Sequence, residues 1–264
     1  MARKQTYRER YTNKIVEAGG AAPLRKERVQ RPPIDPELQQ TYLEGKAILI
    51  NKPLHWTSFD VVRKLRSILQ IKKIGHAGTL DPLATGLLIV CTGKFTKKIN
   101  DYMAAEKEYI GSITLGAVTP TYDLESVPEQ QQDFSFLTNE ELIHTTHQFI
   151  GTIEQFPPIY SAIKKDGVAL YDLARRGVDV ELKARPITIK SFELTSIEMP
   201  VIHFKVVCST GTYIRSLAND FGASLGCGGY LSSLQRTRIG DFKVEDAIDM
   251  EDLECLVNDF KKDN

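Results

Sequence analysis

The sequence predicts an α/β or α+β protein built around a mixed sheet. Three observations carry that expectation. Strand-like and helix-like segments alternate along most of the chain, and hairpin-like strand pairs interrupt the alternation. The chain has 264 residues, 42% of them hydrophobic, which is enough to bury a full core without disulfide or metal staples.

The elements follow in order. Residues 1–44 read as an extension with nine basic and six acidic residues, Gly19-Gly20 and Pro32-Pro33, and little periodicity. It is expected to be in part flexible, in part laid on the domain or touching RNA. Order is expected from about Lys46, where Ala47-Ile48-Leu49-Ile50 reads as a buried strand. Thr57 or Ser58 then caps a helix whose apolar stripe is Val61, Val62, Leu65, Ile68 and Leu69. A short apolar strand over 87–92 and a helix over about 94–103 come next. Over 107–116, Tyr109, Gly111, Ile113 and Leu115 share one side of a strand. A modest helix over 139–150 ends before Pro157-Pro158, and 161–185 reads as an exposed basic excursion. Strands over 187–199 and 201–209 pair, with Ile202, Phe204, Val206 and Cys208 on one face. A helix over about 213–225 carries the stripe Ile214, Leu217, Phe221 and Leu225. A further strand over 230–242 and an acidic helix over about 250–260 close the chain.

Composition excludes several classes. The longest unbroken apolar run, over 87–91, is far short of the roughly 20 residues a membrane-spanning helix needs. Met1-Ala2-Arg3-Lys4 has no apolar core behind it, so no secretory signal is expected. The four cysteines lack metal-ligand spacing, which points to buried thiols in a reducing, cytoplasmic setting. No GxxxxGK[ST], GxGxxG or HExxH pattern occurs. Net charge is zero, but its distribution is uneven: eight basic residues against one acid over 63–98, and nine acids against three lysines over 241–264. The first stretch suits a polyanion.

The single acid of the basic stretch is Asp81, in Gly-His-Ala-Gly-Thr-Leu-Asp-Pro-Leu-Ala-Thr-Gly at 75–86. Two readings stand. Asp81 before Pro82 suits a helix start, as N-cap and first helical residue. Alternatively Asp81 is a nucleophile or general base, held ionised by nearby cations, with glycines admitting a substrate close to the backbone. Arg215 falls in a helix's first turn, where the dipole gives it no support. Tyr109 lies on an otherwise apolar strand face.

Taken together, these segments resemble the TruB family of pseudouridine synthases. Gly75, His76, Gly78, Thr79, Leu80, Asp81, Pro82, Ala84, Thr85 and Gly86 match the stretch around that family's catalytic aspartate. Lys107 and Tyr109 match its Lys-x-Tyr motif. Pro157, Pro158, Tyr160, Ser161, Ala162 and Lys164 match a third motif, continued by Gly167, Tyr171, Arg175 and Arg185 through an RNA-gripping loop at about 157–186. Ser209, Gly211, Thr212, Tyr213, Ile214, Arg215 and Asp220 match the motif with the active-site arginine. Gly226, Gly228, Leu234, Arg236, Thr237, Arg238 and Gly240 match the closing segment.

The resemblance implies a pseudouridine synthase fold, with a mainly antiparallel central sheet, flanking helices and an RNA-binding cleft over 45–242. It implies isomerisation of uridine to pseudouridine at position 55 in the T-loop of transfer RNA, with no metal or organic cofactor. Asp81 would attack or deprotonate the flipped-out nucleoside, Arg215 would pair with Asp81, and Tyr109 would stack on the uracil. Leu234 would close the apolar side, and His76 would fill the space the base leaves. Lys52, Tyr160, Lys164 and Arg236 would contact the RNA, with affinity falling as salt rises. Bacterial members often carry a further small RNA-binding domain, whereas a net-acidic stretch of about 22 residues follows Phe242 here. A monomer acting on the tRNA T-arm without guide RNA or membrane is therefore expected, with 243–264 as an acidic tail. Gly229 and Gln235 stand where the family more usually has Ala and Arg. A different reading is a tRNA-binding folding helper in which catalysis is secondary. A glycoside hydrolase would need a second carboxylate about 5–10 Å from the first, and none lies near Asp81 in sequence.

Overall fold

The computed structural model describes residues 33–259 except 162, 166 and 179. The expectations for residues 1–32 and 260–264 lie outside the described residues. Among the described residues, the first helix comes ahead of the expected start near Lys46. Asp35 caps helix α1 (Pro36–Glu44) by accepting from the backbone N–H groups of Glu37 and Leu38, and Pro36 takes the first turn. Ile34 is buried with Ile48 and Ile50, which anchors the start of α1 to the domain.

Strand β1 (Ala47–Lys52) leads to helix α2 (Ser58–Leu69), which opens on a capping box between Thr57 and Asp60. The apolar stripe of α2 is fully inside, each side chain contributing roughly 1.5–3 kcal/mol of gross burial. Strand β2 (Ile74–His76) and strand β3 (Ala84–Thr92) flank the Asp81 loop. A 3₁₀ turn (Gly93–Lys98) and the short helix α3 (Ile99–Ala104) replace the single helix expected there. Then come β4 (Lys107–Leu115), α4 (Asn139–His147) and β5 (Gly151–Gln155). The excursion folds as a two-residue hairpin, β6 (Lys164–Lys165) and β7 (Val168–Ala169), with helix α5 (Leu170–Arg175). The rest is β8 (Arg185–Glu198), β9 (Val201–Cys208), α6 (Ile214–Ser224), β10 (Gly229–Ile239), β11 (Phe242–Lys243) and α7 (Met250–Asp259).

The main sheet runs β1-β3-β10-β4-β9-β8-β5, with β2 beside β3 and β11 beside β10. All its pairings are antiparallel except β10 with β3, so the sheet is mixed and mainly antiparallel. Helix α6 packs against β10, in a core holding Phe192, Phe204, Phe221 and Leu217. Helices α2 and α7 cover β1 and the Leu88 and Val90 side of β3. Ile202, Phe204, Val206 and Cys208 all face inward as their alternation predicts.

The parallel β3–β10 pair positions the site. It sets Leu234 opposite Ala84 and Arg236 opposite Gly86, just past Asp81. Close approach there depends on Gly86, whose φ is +97° and whose added Cβ would lie 2.3 Å from the Arg236 carbonyl oxygen. Gly86→Ala is expected to cost roughly 2–4 kcal/mol in chemical denaturation, from a disfavoured φ plus a backbone clash. A wild-type midpoint would show that the strands can separate without loss.

Candidate active site

Asp81 caps no helix. After Pro82 the chain turns and enters β3, which removes the helix-start reading. The loop is held by backbone bonds instead. Ser58 Oγ accepts from the Leu80 N–H at 2.8 Å and donates to the Leu80 carbonyl at 3.1 Å, both buried. The His55 N–H donates to the Pro82 carbonyl at 2.7 Å. Arg236 Nη2 donates to the Gly78 carbonyl at 3.2 Å. With the loop fixed this way, the Asp81 side chain stays 36% exposed.

Arg215 meets it from the first turn of α6, and only 5% of the residue is exposed. Its Nε lies 2.9 Å from Asp81 Oδ2, off the N–H axis, so that contact is an ion pair. The directed hydrogen bond runs from Nη2 to Asp81 Oδ1 at 3.3 Å. Nη2 also donates to the Tyr160 carbonyl at 3.0 Å and Nη1 to the Thr121 carbonyl at 3.2 Å. The N-terminus of α6 is itself clamped: Gln155 accepts from the Tyr213 N–H at 2.8 Å and donates to the Tyr213 carbonyl at 3.1 Å. Ser216 Oγ donates to the Phe156 carbonyl at 2.8 Å.

A second carboxylate sits on the same arginine. Asp123 Oδ2 is 3.7 Å from Arg215 Nε, and its side chain is buried. Burial raises the Asp123 pKa, against hydrogen bonding at Thr121 and the charge of Arg215, which lower it. Asp81 and Asp123 both line a small cavity with Leu231 and Leu234. Sequence reading finds no such partner. Asp123 is placed by the fold. Ser58 and Gln155 also carry no sequence signal beyond their types.

Asp81, Tyr109, Arg215, Leu234, Lys107 and Arg236 line one cleft of about 270 Å³. Leu234 also lines the small cavity and a broad groove of about 910 Å³ that reaches Ser233, Gln235 and His203. Burial raises the Tyr109 pKa, so its hydroxyl keeps its proton at neutral pH.

Other expected residues are placed differently. Lys52 is not at the surface. It is 0% exposed, and its ammonium donates to the carbonyls of Pro53 at 2.9 Å and Trp56 at 2.5 Å. Burial pushes its pKa down to about 8. Arg236 is 1% exposed and ties Leu87 (Nε to carbonyl, 2.8 Å) and Gly78 to β10 rather than offering a phosphate contact. Tyr160 contributes its carbonyl to Arg215. His76 is half-buried on β2, does not line the cleft, and has its pKa lowered chiefly by burial. Lys164 pairs through its backbone with Ala169, and its side chain lies outside the described residues.

Lys52→Met tests the first correction. It leaves the Trp56 carbonyl without this donor and the Pro53 carbonyl with only the Trp56 N–H at 3.4 Å, so stability should fall by about 1–3 kcal/mol while RNA affinity and its salt slope stay unchanged. The folded pKa of Lys52 lies below its unfolded value. Between about pH 8 and 10.5 the native state therefore binds fewer protons at this residue than the unfolded one, and this term stabilises as pH rises. The margin of wild type over Lys52→Met should widen from pH 7 to pH 10 in denaturant titrations. A shallower salt slope with unaltered stability would restore Lys52 to the RNA surface.

Similarity to known proteins bears on the same residues. Residues 66–214 match the family model described as TruB family pseudouridylate synthase (N terminal domain). Residues 215–263 match the model described as tRNA pseudouridylate synthase B C-terminal domain; in the structure that stretch supplies α6, β10, β11 and α7 to the same sheet and core. The chain is 55% identical over 219 residues to tRNA pseudouridine synthase B of Flavobacterium johnsoniae, covering 80% of this chain and 95% of that protein. It is 44% identical over 229 residues to the protein of that name from Parabacteroides distasonis, covering 84% and 96%. Among solved structures, a Cbf5-Nop10-Gar1 complex aligns with TM-score 0.68 and 29% identity over 89% of this chain. An H/ACA ribonucleoprotein bound to a substrate RNA containing 2′-deoxyuridine aligns with TM-score 0.65 and 28% identity, also over 89%. This chain spans 63% and 58% of those two chains. With more than half its length in the family model, and its motif residues converging on one cleft, the chain belongs to the TruB family of pseudouridine synthases.

Proposed function

We propose that this protein converts uridine 55 in the T-loop of tRNA to pseudouridine, acting as a monomer on the T-arm without a guide RNA. One observation carries the reading at the level of chemistry. An accessible carboxylate, Asp81, is oriented by a buried arginine at a cleft whose other walls are Tyr109 and Leu234. The names of the relatives, tRNA pseudouridine synthase B, support tRNA as the substrate.

The reaction needs the C1′–N1 bond broken and a C1′–C5 bond made. Asp81 attacks C1′ or removes a sugar proton; either way the electron pair of the broken bond leaves with the uracil. The base turns and C5 bonds to C1′ as the Asp81–C1′ bond breaks, or as Asp81 gives the sugar proton back; the C5 proton is then lost and N1 gains one. Arg215 pairs with Asp81 and aims it. Tyr109 stacks on the base, Leu234 closes the apolar side, and extruding the uridine costs a few kcal/mol that RNA contacts offset. His76, just ahead of the loop, fills the vacated space in the RNA, and Lys164 contacts it from the excursion.

The test is tritium release from uracil-C5-labelled tRNA, with position-resolved pseudouridine mapping of the product. Release confined to position 55 is the expected result. Tight tRNA binding with no release by pure protein would favour a folding helper, and release from another uridine would overturn the assignment of position.

A further inference from the structure

Lys107 and Arg236 are buried cations without an acid. Lys107 is 5% exposed, and its ammonium donates to the carbonyls of Met103 and, at 2.6 Å, Ala105. Arg236 bonds the carbonyls of Leu87 and Gly78. Among the described residues neither is in an ion pair, because the nearby carboxylates are engaged elsewhere. Glu106 pairs with Lys190 and Arg238, Glu108 with Lys205 and Arg238, and Asp81 and Asp123 with Arg215. An uncompensated buried charge costs several kcal/mol, and two carbonyls offset only part of it. A neutral donor would satisfy a carbonyl without that cost, so the charge itself calls for a use.

Both cations line the cleft at its Tyr109 side. Arg236 is cross-strand partner to Tyr109, and Lys107 lies two residues along β4, on the same face. Among the described residues, the one carboxylate lining the cleft is Asp81, which is paired with Arg215. Burial raises the pKa of Tyr109, and separately pushes that of Cys208, opposite Lys107 on β9, up to about 11; both groups stay neutral. Burial lowers the Lys107 pKa only to about 8, which leaves it mostly charged at neutral pH. The cleft is thus polarised, with a carboxylate on one wall and unbalanced positive charge beside the ring that stacks on the base.

The anion that reaches this wall is the base. When C1′–N1 breaks, the uracil holds the electron pair until C5 rebonds to C1′. Resting on the functional reading above, we propose that Lys107 and Arg236 form an anion site that stabilises the detached uracil between the two bond-changing steps. Fixed charge in a water-poor cleft acts there without reorganisation, and removing one such group typically costs about 10²–10³ in rate.

The test uses the full chain and single-turnover consumption of the target nucleoside in RNA carrying uridine or 5-fluorouridine. Fluorine at C5 makes the detached base a weaker base, so it needs less help. Lys107→Met should lose about 10²–10³-fold on uridine and at least about tenfold less on 5-fluorouridine. Lys107→Gln, which keeps a carbonyl donor but no charge, should show the same pattern with a melting temperature close to wild type. Equal losses on both substrates, or a wild-type rate in folded Lys107→Gln, would overturn the proposal while leaving the functional reading intact. A wild type that forms no pseudouridine overturns that reading, and this proposal with it.

Discussion

Asp81→Asn is expected to lower single-turnover pseudouridine formation by at least about 10⁴-fold, with tRNA affinity within about threefold of wild type. The amide keeps the size of the carboxylate and an oxygen to accept from Arg215 Nη2, but it can neither attack C1′ nor take a proton. The fold should tolerate the change, since the loop is held by Ser58, His55 and Arg236 through the backbone of Leu80, Pro82 and Gly78, none of which uses the Asp81 side chain. Arg215 also keeps Asp123 nearby, so it is not left without any acid. Tritium release and filter binding on the same preparation measure both halves. Turnover surviving in the asparagine variant would take Asp81 out of the chemistry. Lost binding would instead make it part of RNA recognition.

What the sequence alone makes legible is whatever depends on local periodicity. The α2 stripe from Val61 to Leu69, the inward face of β9 and the α6 stripe ending at Leu225 are where 3.6- and 2-residue patterns place them. These patterns are unambiguous because one face of each element is buried. Gly93–Lys98 departs from its expected helix because Gly93 sits under the chain at Leu43, where an added Cβ would lie 2.0 Å from a carbonyl oxygen, and this long-range fit outweighs local helix preference.

The site is legible only in part, for a different reason. Asp81, Tyr109 and Arg215 can be named from motifs, but what decides a role is distance in space. Arg215 reaches Asp81 across 134 positions and Thr121 across 94. The resemblance names Lys52 and Arg236 as RNA contacts but says nothing of what else holds them. Their actual partners are backbone carbonyls turned inward at bends, which no side-chain pattern records. Asp123 escapes notice for the complementary reason: its surroundings in sequence, Thr121 and Tyr122, say nothing of the arginine that packs against it.

Arg215→Met should be the most damaging single change, because it acts on fold and chemistry together. The guanidinium serves Asp81, Asp123 and the carbonyls of Tyr160 and Thr121, so it ties α6 to three other segments. Removing it leaves Asp123 buried beside no cation and two carbonyls without donors. Breaking a buried pair by deleting one partner costs about 3–5 kcal/mol, a fall in melting temperature on the order of 10 °C for a domain this size. The rate should drop by about 10²–10³-fold in the protein that remains folded, since Asp81 then loses its orientation and its counter-charge. Arg215→Lys separates the two effects. A lysine restores a positive charge near Asp123 and should recover part of the stability, but its compact ammonium cannot span four acceptors held by a planar fork. Its turnover should therefore stay within about tenfold of the methionine variant. A lysine variant as fast as wild type would mean that charge alone suffices and that the bridging geometry is incidental. A folded methionine variant with undiminished rate would remove the ion pair from catalysis altogether.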